Sequence, residues 1–384
     1  MPRHYLDHAS TSTLRPAARA AVVAALEAAP GDPARLHEDA LAHRAAIERA
    51  REHVAGLLGA RPREVVFTSG ATESIITAAW GAAARQGGPA HQVVTAVEHS
   101  AVRESADRAG PVTVVGVDRH GRVDADAVLA AVTPTTALVH VQWGNHEVGT
   151  EQPVTDVVAG CRARRVLVHV DAAQAAGRVP IAFAELGADL LSVSAHKLGG
   201  PPGVGALLVR RGRRLPALFV GGDQERARRA GLENGPAIAG FGAAAAELAA
   251  SGRLAAEAAE QRRLAARLAA GASALPGVEL LGHPTLRLPH LVCLAIAGVE
   301  PQPVLLGLDR AGIAAHSGSS CSSEVLEPSP VLAAMGVDAQ RSLRLSVGWD
   351  TTDADVDAAV AALDGVLAGL RRLGGGQASE TGTA

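Results

Sequence analysis

The feature that most restricts this chain is a series of short, continuously apolar segments between residues 60 and 210, separated by helix-like stretches. "EVVFTSG" reads as a strand and a turn, and "ATESIITAAWGAAARQ" behind it as a helix. "HQVVTAV", "VTVVGV", "ALVHVQW", "VLVHVDA", "DLLSVSA" and "GALLVR" follow as strands, with helical stretches such as "PVTDVVAGCRARR" between several of them. A strand with one wet face alternates apolar and polar residues. These segments do not alternate, so both of their faces are buried. The pattern predicts an α/β fold, a mainly parallel sheet flanked by helices. In such sheets ligands collect outside the carboxyl ends of the strands, so polar residues at those ends are the candidates for chemistry.

Hydrophobic residues make up 48% of the chain but aromatic ones only 2%, so Ala, Val and Leu must build the core, with 42 glycines allowing close backbone approach. A length of 384 residues suits two domains. The Ala-rich stretch "GPAIAGFGAAAAELAASGRLAAEAAEQRRLAARLAAGASAL" predicts one or two long helices with a break at "ASG". Beyond it, strands "HLVCLAIAG" and "RSLRLSVGW" and helices "PQPVLLGLDRAG" and "DADVDAAVAALDGVLAGLRRLG" predict a smaller α/β domain. The expected division is a large domain over residues 15–254, a small one over 255–373, and a small, polar, disordered tail over 374–384. No internal repeat is visible.

A formal net charge of −3 gives no basis for a nucleic-acid surface. The arginine-rich pieces "RRGRR" (210–214) and "ERARR" (225–229) are expected to be solvated surface. Three cysteines do not make a disulfide framework and fit a reducing cytoplasm. The amino-terminal "MPRHYLDHAST" has no signal-peptide core, and no run of 18 apolar residues occurs, so no membrane span is expected.

Three strand ends carry polar groups. "FTSGATES" (67–74) is a strand, a glycine turn and a helix start, where free N–H groups and the helix dipole favour an anion, and Thr72 adds a hydroxyl. "VLVHVDAAQA" (166–175) puts Asp171 at the end of an apolar strand, a costly place for a carboxylate without a cation or donors. "SVSAHKLGGPPGVGALLV" (192–209) puts Lys197 at the end of another, before a Gly/Pro loop. The spacing from Asp171 to Lys197 fits one βαβ unit, so both can face one crevice. An anion cradle, a buried carboxylate and a lysine are what pyridoxal phosphate requires: for its phosphate, its pyridine nitrogen and its aldehyde. A further clue is "IAAHSGSSCSSEVLEPS" (313–329), where Cys321 lies among small polar residues in what reads as a mobile loop and suits a nucleophile. Cys293 in "LVCLAI" reads as a packing residue, and Cys161 as incidental.

Together these segments resemble the cysteine desulfurases of the NifS/IscS type, class V aminotransferases on the fold-type-I pyridoxal phosphate scaffold. "YLDHAST", "VFTSGATES", "VEHSAV", "HVDAAQ", "SAHKLGGPPGVGAL", "SGSSCSSEVLEPS" and "LRLSVG" match the family's segments in order over nearly the whole chain. The resemblance implies a large domain with a mainly parallel seven-stranded sheet, a smaller C-terminal domain carrying the cysteine loop, and residues 1–14 packing with that small domain. It implies that Lys197 holds the cofactor, that Asp171 pairs with the pyridine nitrogen, and that Gln174 contacts the phenolic oxygen. It sets His99 against the ring as a stacking, proton-exchanging group. Ala71, Thr72, Ser194 and His196 are implied for the phosphate, His146 for the cofactor, and Arg344 and Asn145 for the substrate. Cys321 is implied as the nucleophile that takes sulfur from L-cysteine, leaving alanine and a persulfide. No residue is assigned to a metal.

Three positions depart from the family's pattern. His146 replaces the second of two asparagines in "WGNHEVG", Leu232 stands where a threonine usually reaches the phosphate of the partner subunit, and Asp32 stands where asparagine is common. The resemblance implies a cytoplasmic homodimer that passes sulfur to an acceptor protein: an iron–sulfur scaffold, a tRNA-thiolation enzyme, a sulfur carrier or a DNA-sulfur-modification protein. The competing expectations are a selenocysteine lyase or another class V enzyme and, in a different class, a non-catalytic scaffold that kept the fold.

Overall fold

The computed structural model describes residues 3–317, 328–338 and 341–377. Numbered along the chain, its strands are β1 (His4–Tyr5), β2 (Val65–Thr68), β3 (His91–Thr95), β4 (Val112–Val115), β5 (Thr136–Gln142), β6 (Leu167–Asp171), β7 (Leu190–Ser194), β8 (Gly205–Val209), β9 (Val278–Leu281), β10 (Leu291–Ile296), β11 (Ile313–Ala314) and β12 (Ser342–Ser346). Seven of them form one sheet in the order β2-β8-β7-β6-β5-β3-β4. Only β8 runs against its neighbours; the other pairings are parallel. Every residue of β5, β6, β7 and β8 is buried, the physical counterpart of their unbroken apolar sequence.

The helix Ala71–Arg85 and the helix Gly235–Ala249 pack into the core around this sheet through small side chains, among them Ala78, Ala79 and Ala82 on the first and Ala244 and Ala245 on the second. Asn234 caps the second helix by accepting the Ala237 N–H at 3.2 Å. It stops at Ala249, and a new helix, Arg253–Ser273, starts after Gly252, whose φ of +75° ends the run. The break predicted at "ASG" is therefore real.

A second core is built on the antiparallel sheet β12-β10-β9, covered by the helices Arg253–Ser273, Pro301–Arg310 and Asp353–Gln377. The chain's first residues join this unit. β1 pairs in parallel with β11, and Leu6 is buried in the same cluster as Leu264, Leu343 and Leu363. Residues 378–384, most of the expected tail, and residues 318–327, which contain Cys321, lie outside the described residues.

The arginine-rich stretches are only in part the solvated surface the sequence suggests. Arg211, Arg213, Arg214 and Arg226 are exposed, but Arg210, Arg228 and Arg229 are half-buried, and both stretches border one cleft of about 1200 Å³.

Beneath the ends of the parallel strands runs a buried polar chain. The Gln92 amide on β3 donates to the Ala79 carbonyl at 3.0 Å, so its oxygen faces His140 on β5 at 2.8 Å. His140 Nε2 therefore donates, and its Nδ1 accepts from His169 Nδ1 on β6 at 3.0 Å. His169 Nε2 then accepts from the Ser192 hydroxyl on β7 at 2.7 Å. All four side chains have no solvent exposure. Burial holds His140 down to about 3 and His169 well below its ordinary range. Both imidazoles are thus neutral in the folded chain and become protonated near pH 6.5 once unfolded. Their contribution is present above that pH and is lost as pH falls toward about 3. His140→Phe leaves Gln92 and His169 without their partners, which should cost about 2–5 kcal/mol in urea unfolding at neutral pH. The same variant should show a shallower loss of stability on acidification.

Candidate active site

Six elements converge on one cavity of about 460 Å³, outside the carboxyl ends of β2, β5, β6 and β7. Its lining includes Ala71, Thr72, His99, His146, Asp171, Gln174, Ser194, His196, Lys197 and Arg344. The described residues expected at the site are therefore brought together, Asn145 excepted.

Lys197 lies in a single 3-10 turn, Ala195–Lys197, directly after β7. Its Nζ donates to the carbonyls of Ala9 and Ser10 at 2.5 and 2.9 Å. Burial, with the Arg344 charge beside it, lowers the amine to about 7, although Asp7 and Asp171 pull the other way. Asp171 closes β6, and its carboxylate accepts the Ala173 N–H at 3.0 Å. Burial raises its carboxyl, while the backbone bond, His146 and Lys197 oppose the rise. Gln174 donates to the Ala9 carbonyl at 2.8 Å and meets His290 at 3.2 Å.

His99 ends the turn after β3. Its Nδ1 accepts the Ala101 N–H at 3.1 Å and caps the helix Ser100–Ala109, which fixes the ring plane. The ring meets His146 edge-on at 5.1 Å between centroids. Burial, then the charges of His146 and Lys197, lowers His99 to about 3, so it works as a neutral imidazole. His196 is lowered to about 4 by burial and by Lys197.

The helix Ala71–Arg85 begins without a side-chain cap. Its first internal bond runs from Ser74 N–H to Gly70 O, so the N–H groups of Ala71, Thr72 and Glu73 have no helix acceptor. Gly205 of β8 makes room for this turn, because a Cβ there would lie 2.7 Å from the Gly70 Cα. Two buried side-chain nitrogens of the cavity lining are also without hydrogen-bond partners, His146 Nδ1 and Arg344 Nε. An uncapped helix start, a buried carboxylate and a near-neutral amine around one cavity fit a phosphorylated pyridine aldehyde.

The expectation for Asn145 meets a different arrangement. Asn145 is fully buried outside the cavity lining: its amide donates to the Val97 carbonyl at 3.1 Å and its oxygen accepts the Glu147 and Val148 N–H groups at 2.8 Å. It therefore fixes the turn that carries His146 rather than meeting the cavity. Asp32 accepts the Ala34 N–H at 2.9 Å, pairs with Arg35 at 3.2 Å, and does not line the cavity. Leu232 is 66% exposed. Sequence reading missed several supports. Glu98, beside His99 in "VEHSAV", accepts Thr95 Oγ1 and the Gln142 N–H at 2.8 and 2.9 Å, and complete burial pushes it up to about 8. Asp7 and Ser10, in the "YLDHAST" segment, bind Arg344 at 3.1 and 2.7 Å.

The aminotransferase class-V family model matches residues 4–359. The chain belongs to that family. It is 39% identical to a cysteine desulfurase of Gluconacetobacter diazotrophicus, covering 96% of this chain and 94% of that one. It is 40% identical to a cysteine desulfurase of Cereibacter sphaeroides, over 97% and 98% of the two chains. A solved NifS-like protein superposes with a TM-score of 0.88 at 31% identity, over 96% of this chain and all of the other. Membership makes the chain a pyridoxal phosphate-dependent enzyme on the fold-type-I scaffold. Among the described residues no helix is long and apolar enough to cross a membrane.

Below about pH 7 the Lys197 amine is an ammonium, and above it a free nucleophile. Uptake of pyridoxal phosphate by apo-enzyme, followed by the cofactor's absorbance, should rise with a midpoint at about pH 7 and then level off. A rise continuing into the ordinary lysine range would show an unperturbed amine. Lys197→Ala should abolish the characteristic absorbance.

Proposed function

We propose that this enzyme is a cysteine desulfurase that removes sulfur from L-cysteine, leaving L-alanine and a persulfide on Cys321. The single observation that carries the reading is the placement of Lys197 and Arg344 on one cavity of about 460 Å³ with Asp171 and the open helix start at Ala71. That set would hold a pyridoxal phosphate together with an amino-acid carboxylate.

When bound, the cofactor supplies an electron sink for the pair released at the substrate Cα. Lys197, the uncapped N–H groups at Ala71–Glu73, Ser194, His196 and Gln174 are the groups to hold it, and Asp171 keeps its ring nitrogen protonated. Arg344 grips the substrate carboxylate, a task that suits a guanidinium fork. Lys197 takes the Cα proton, and its near-neutral pKa lets it act as base and acid at neutral pH. His99, a neutral imidazole on the cavity wall, can exchange protons there. The Cys321 thiolate attacks the substrate sulfur. The Cβ–S bond breaks, its electron pair goes to the carbon fragment that becomes alanine, and sulfur stays on Cys321 as a persulfide.

The flanks of the segment carrying Cys321 support this role. The His316 backbone pairs with that of Arg344 at 3.1 and 2.6 Å, and Ser329 binds Glu147, next to His146, at 2.5 Å. The reading includes a division at about residue 254, with residues 1–14 assigned to the small unit. It also includes a cytoplasmic homodimer, for which the outward-facing Leu36, Val220 and Leu232 supply apolar surface. The sulfur acceptor is a protein.

Incubation with L-cysteine should add 32 Da to the tryptic peptide containing Cys321, on the order of one sulfur per chain. Cys321→Ser should keep cofactor absorbance yet lose both the added mass and desulfuration. Sulfide release by that variant at the wild-type rate would remove the thiol from the mechanism.

A further inference from the structure

Arg344 carries its charge into the site from β12 and is only 2% exposed. Its Nη1 donates to the His146 carbonyl at 2.8 Å. Its Nη2 donates to Ser10 Oγ at 2.7 Å and to Asp7 Oδ1 at 3.1 Å. Ser10 in turn donates to the same Asp7 oxygen at 2.8 Å. Among the described residues Asp7 is the carboxylate paired with this guanidinium, and it touches it through one oxygen only. The remaining donor, Nε, is buried without a partner.

The ion pair is therefore incomplete. A carboxylate that took Nε and Nη2 together would form the two parallel bonds that guanidinium geometry favours, and would satisfy the orphan donor. Asp7 does not do so in this structure. Its backbone is bridged in parallel to Ser346, and Leu6 O accepts the Ser346 N–H at 2.7 Å, which fixes the segment from which Asp7 reaches. An entering carboxylate must instead compete with a tethered internal one. A free small anion has only its own charge to offer against that pair. The carboxylate of an amino acid already joined through its amine competes at high effective concentration.

We propose that Asp7 is a specificity-determining residue: an internal carboxylate on Arg344 that substrate must displace, so that the site refuses anions not also held at their amine. The proposal rests on the reading of Arg344 as the substrate-carboxylate clamp and deepens it. Asp7 acts through Arg344 and not on the reacting atoms.

The probe is 3-mercaptopropionate, which is cysteine without its amine. Calorimetry on holoenzyme with full cofactor absorbance should show weak binding to wild type. Binding to Asp7→Asn should be roughly tenfold tighter, the size of one charge-assisted contact. KM for L-cysteine should fall in the same variant with kcat changed less, and Asp7→Glu, which restores the charge, should bind the thiol acid as weakly as wild type. Arg344→Gln should remove the gain in the Asp7→Asn background. If Asp7→Asn yields no folded protein, Asp7→Ser reads the same loss of charge. Binding to the charge-free variants no tighter than to wild type, with KM raised, would overturn the proposal and leave Asp7 as a mere orienter of Arg344. A tight site surviving Arg344→Gln would overturn it equally. Failure of wild type to form alanine from L-cysteine would count against the desulfurase reading, and the calorimetric comparison would still decide the role of Asp7.

Discussion

Enclosing a lysine amine next to a guanidinium is electrostatically unfavourable, and the site is organised around that cost. Burial and the Arg344 charge both push the Lys197 amine toward its neutral form. Asp7 and Asp171 limit the shift, and the Ala9 and Ser10 carbonyls give the amine acceptors. The same burial acts in the opposite sense on Asp171, whose carboxyl it raises. A guanidinium and two carboxylates thus act together on the basicity of one buried amine. Removing any one of those three charges changes that basicity.

The sheet gives that balance a rigid foundation. Gln142, Asp171 and Ser194 each stand two residues beyond a member of the buried polar chain, His140, His169 and Ser192. Side chains two apart in a strand share a face, so the cavity-lining row is laid directly above a row of hydrogen-bonded side chains. The one-way run of donors from Ser192 to the Ala79 carbonyl leaves no alternative tautomer that satisfies every member. Such a row selects one strand register and one set of rotamers for what stands on it.

What the sequence revealed and what it hid follow from range. Asp171 and Lys197 were legible because an apolar run that ends in a charged residue is a local pattern, and the helix start at Ala71 was legible for the same reason. The outer strands β1, β9 and β11 and the helices Pro16–Glu27 and Glu38–Leu57 carried weaker patterns and were not resolved from sequence. Asp7 and Ser10 were hidden because their partner lies more than 330 residues away, and no local pattern marks such a contact. Glu98 sat next to a residue that drew attention, yet one of the two donors that hold it comes from β5, outside its own segment. Asn145 was expected at the substrate, and its neighbours Gly144 and His146 do line the cavity. Its short side chain instead turns back on its own loop and Val97. The arginine stretches were read as separate surface features because their convergence depends on the fold of two loops.

The intertwining of the two ends of the chain bears on how the molecule is made. Leu6, Asp7 and Ala9 are anchored to Arg344 and Ser346, so they find these contacts only after a segment more than 330 residues further along has been synthesised. The seven strands of the large sheet all lie before residue 210, whereas the segment that supplies the amine's carbonyl acceptors and the guanidinium's acidic neighbour is tied to β12, far beyond them. A chain lacking β12 would therefore carry the lysine without the guanidinium that depresses its basicity, and its reactivity toward aldehydes would be lower.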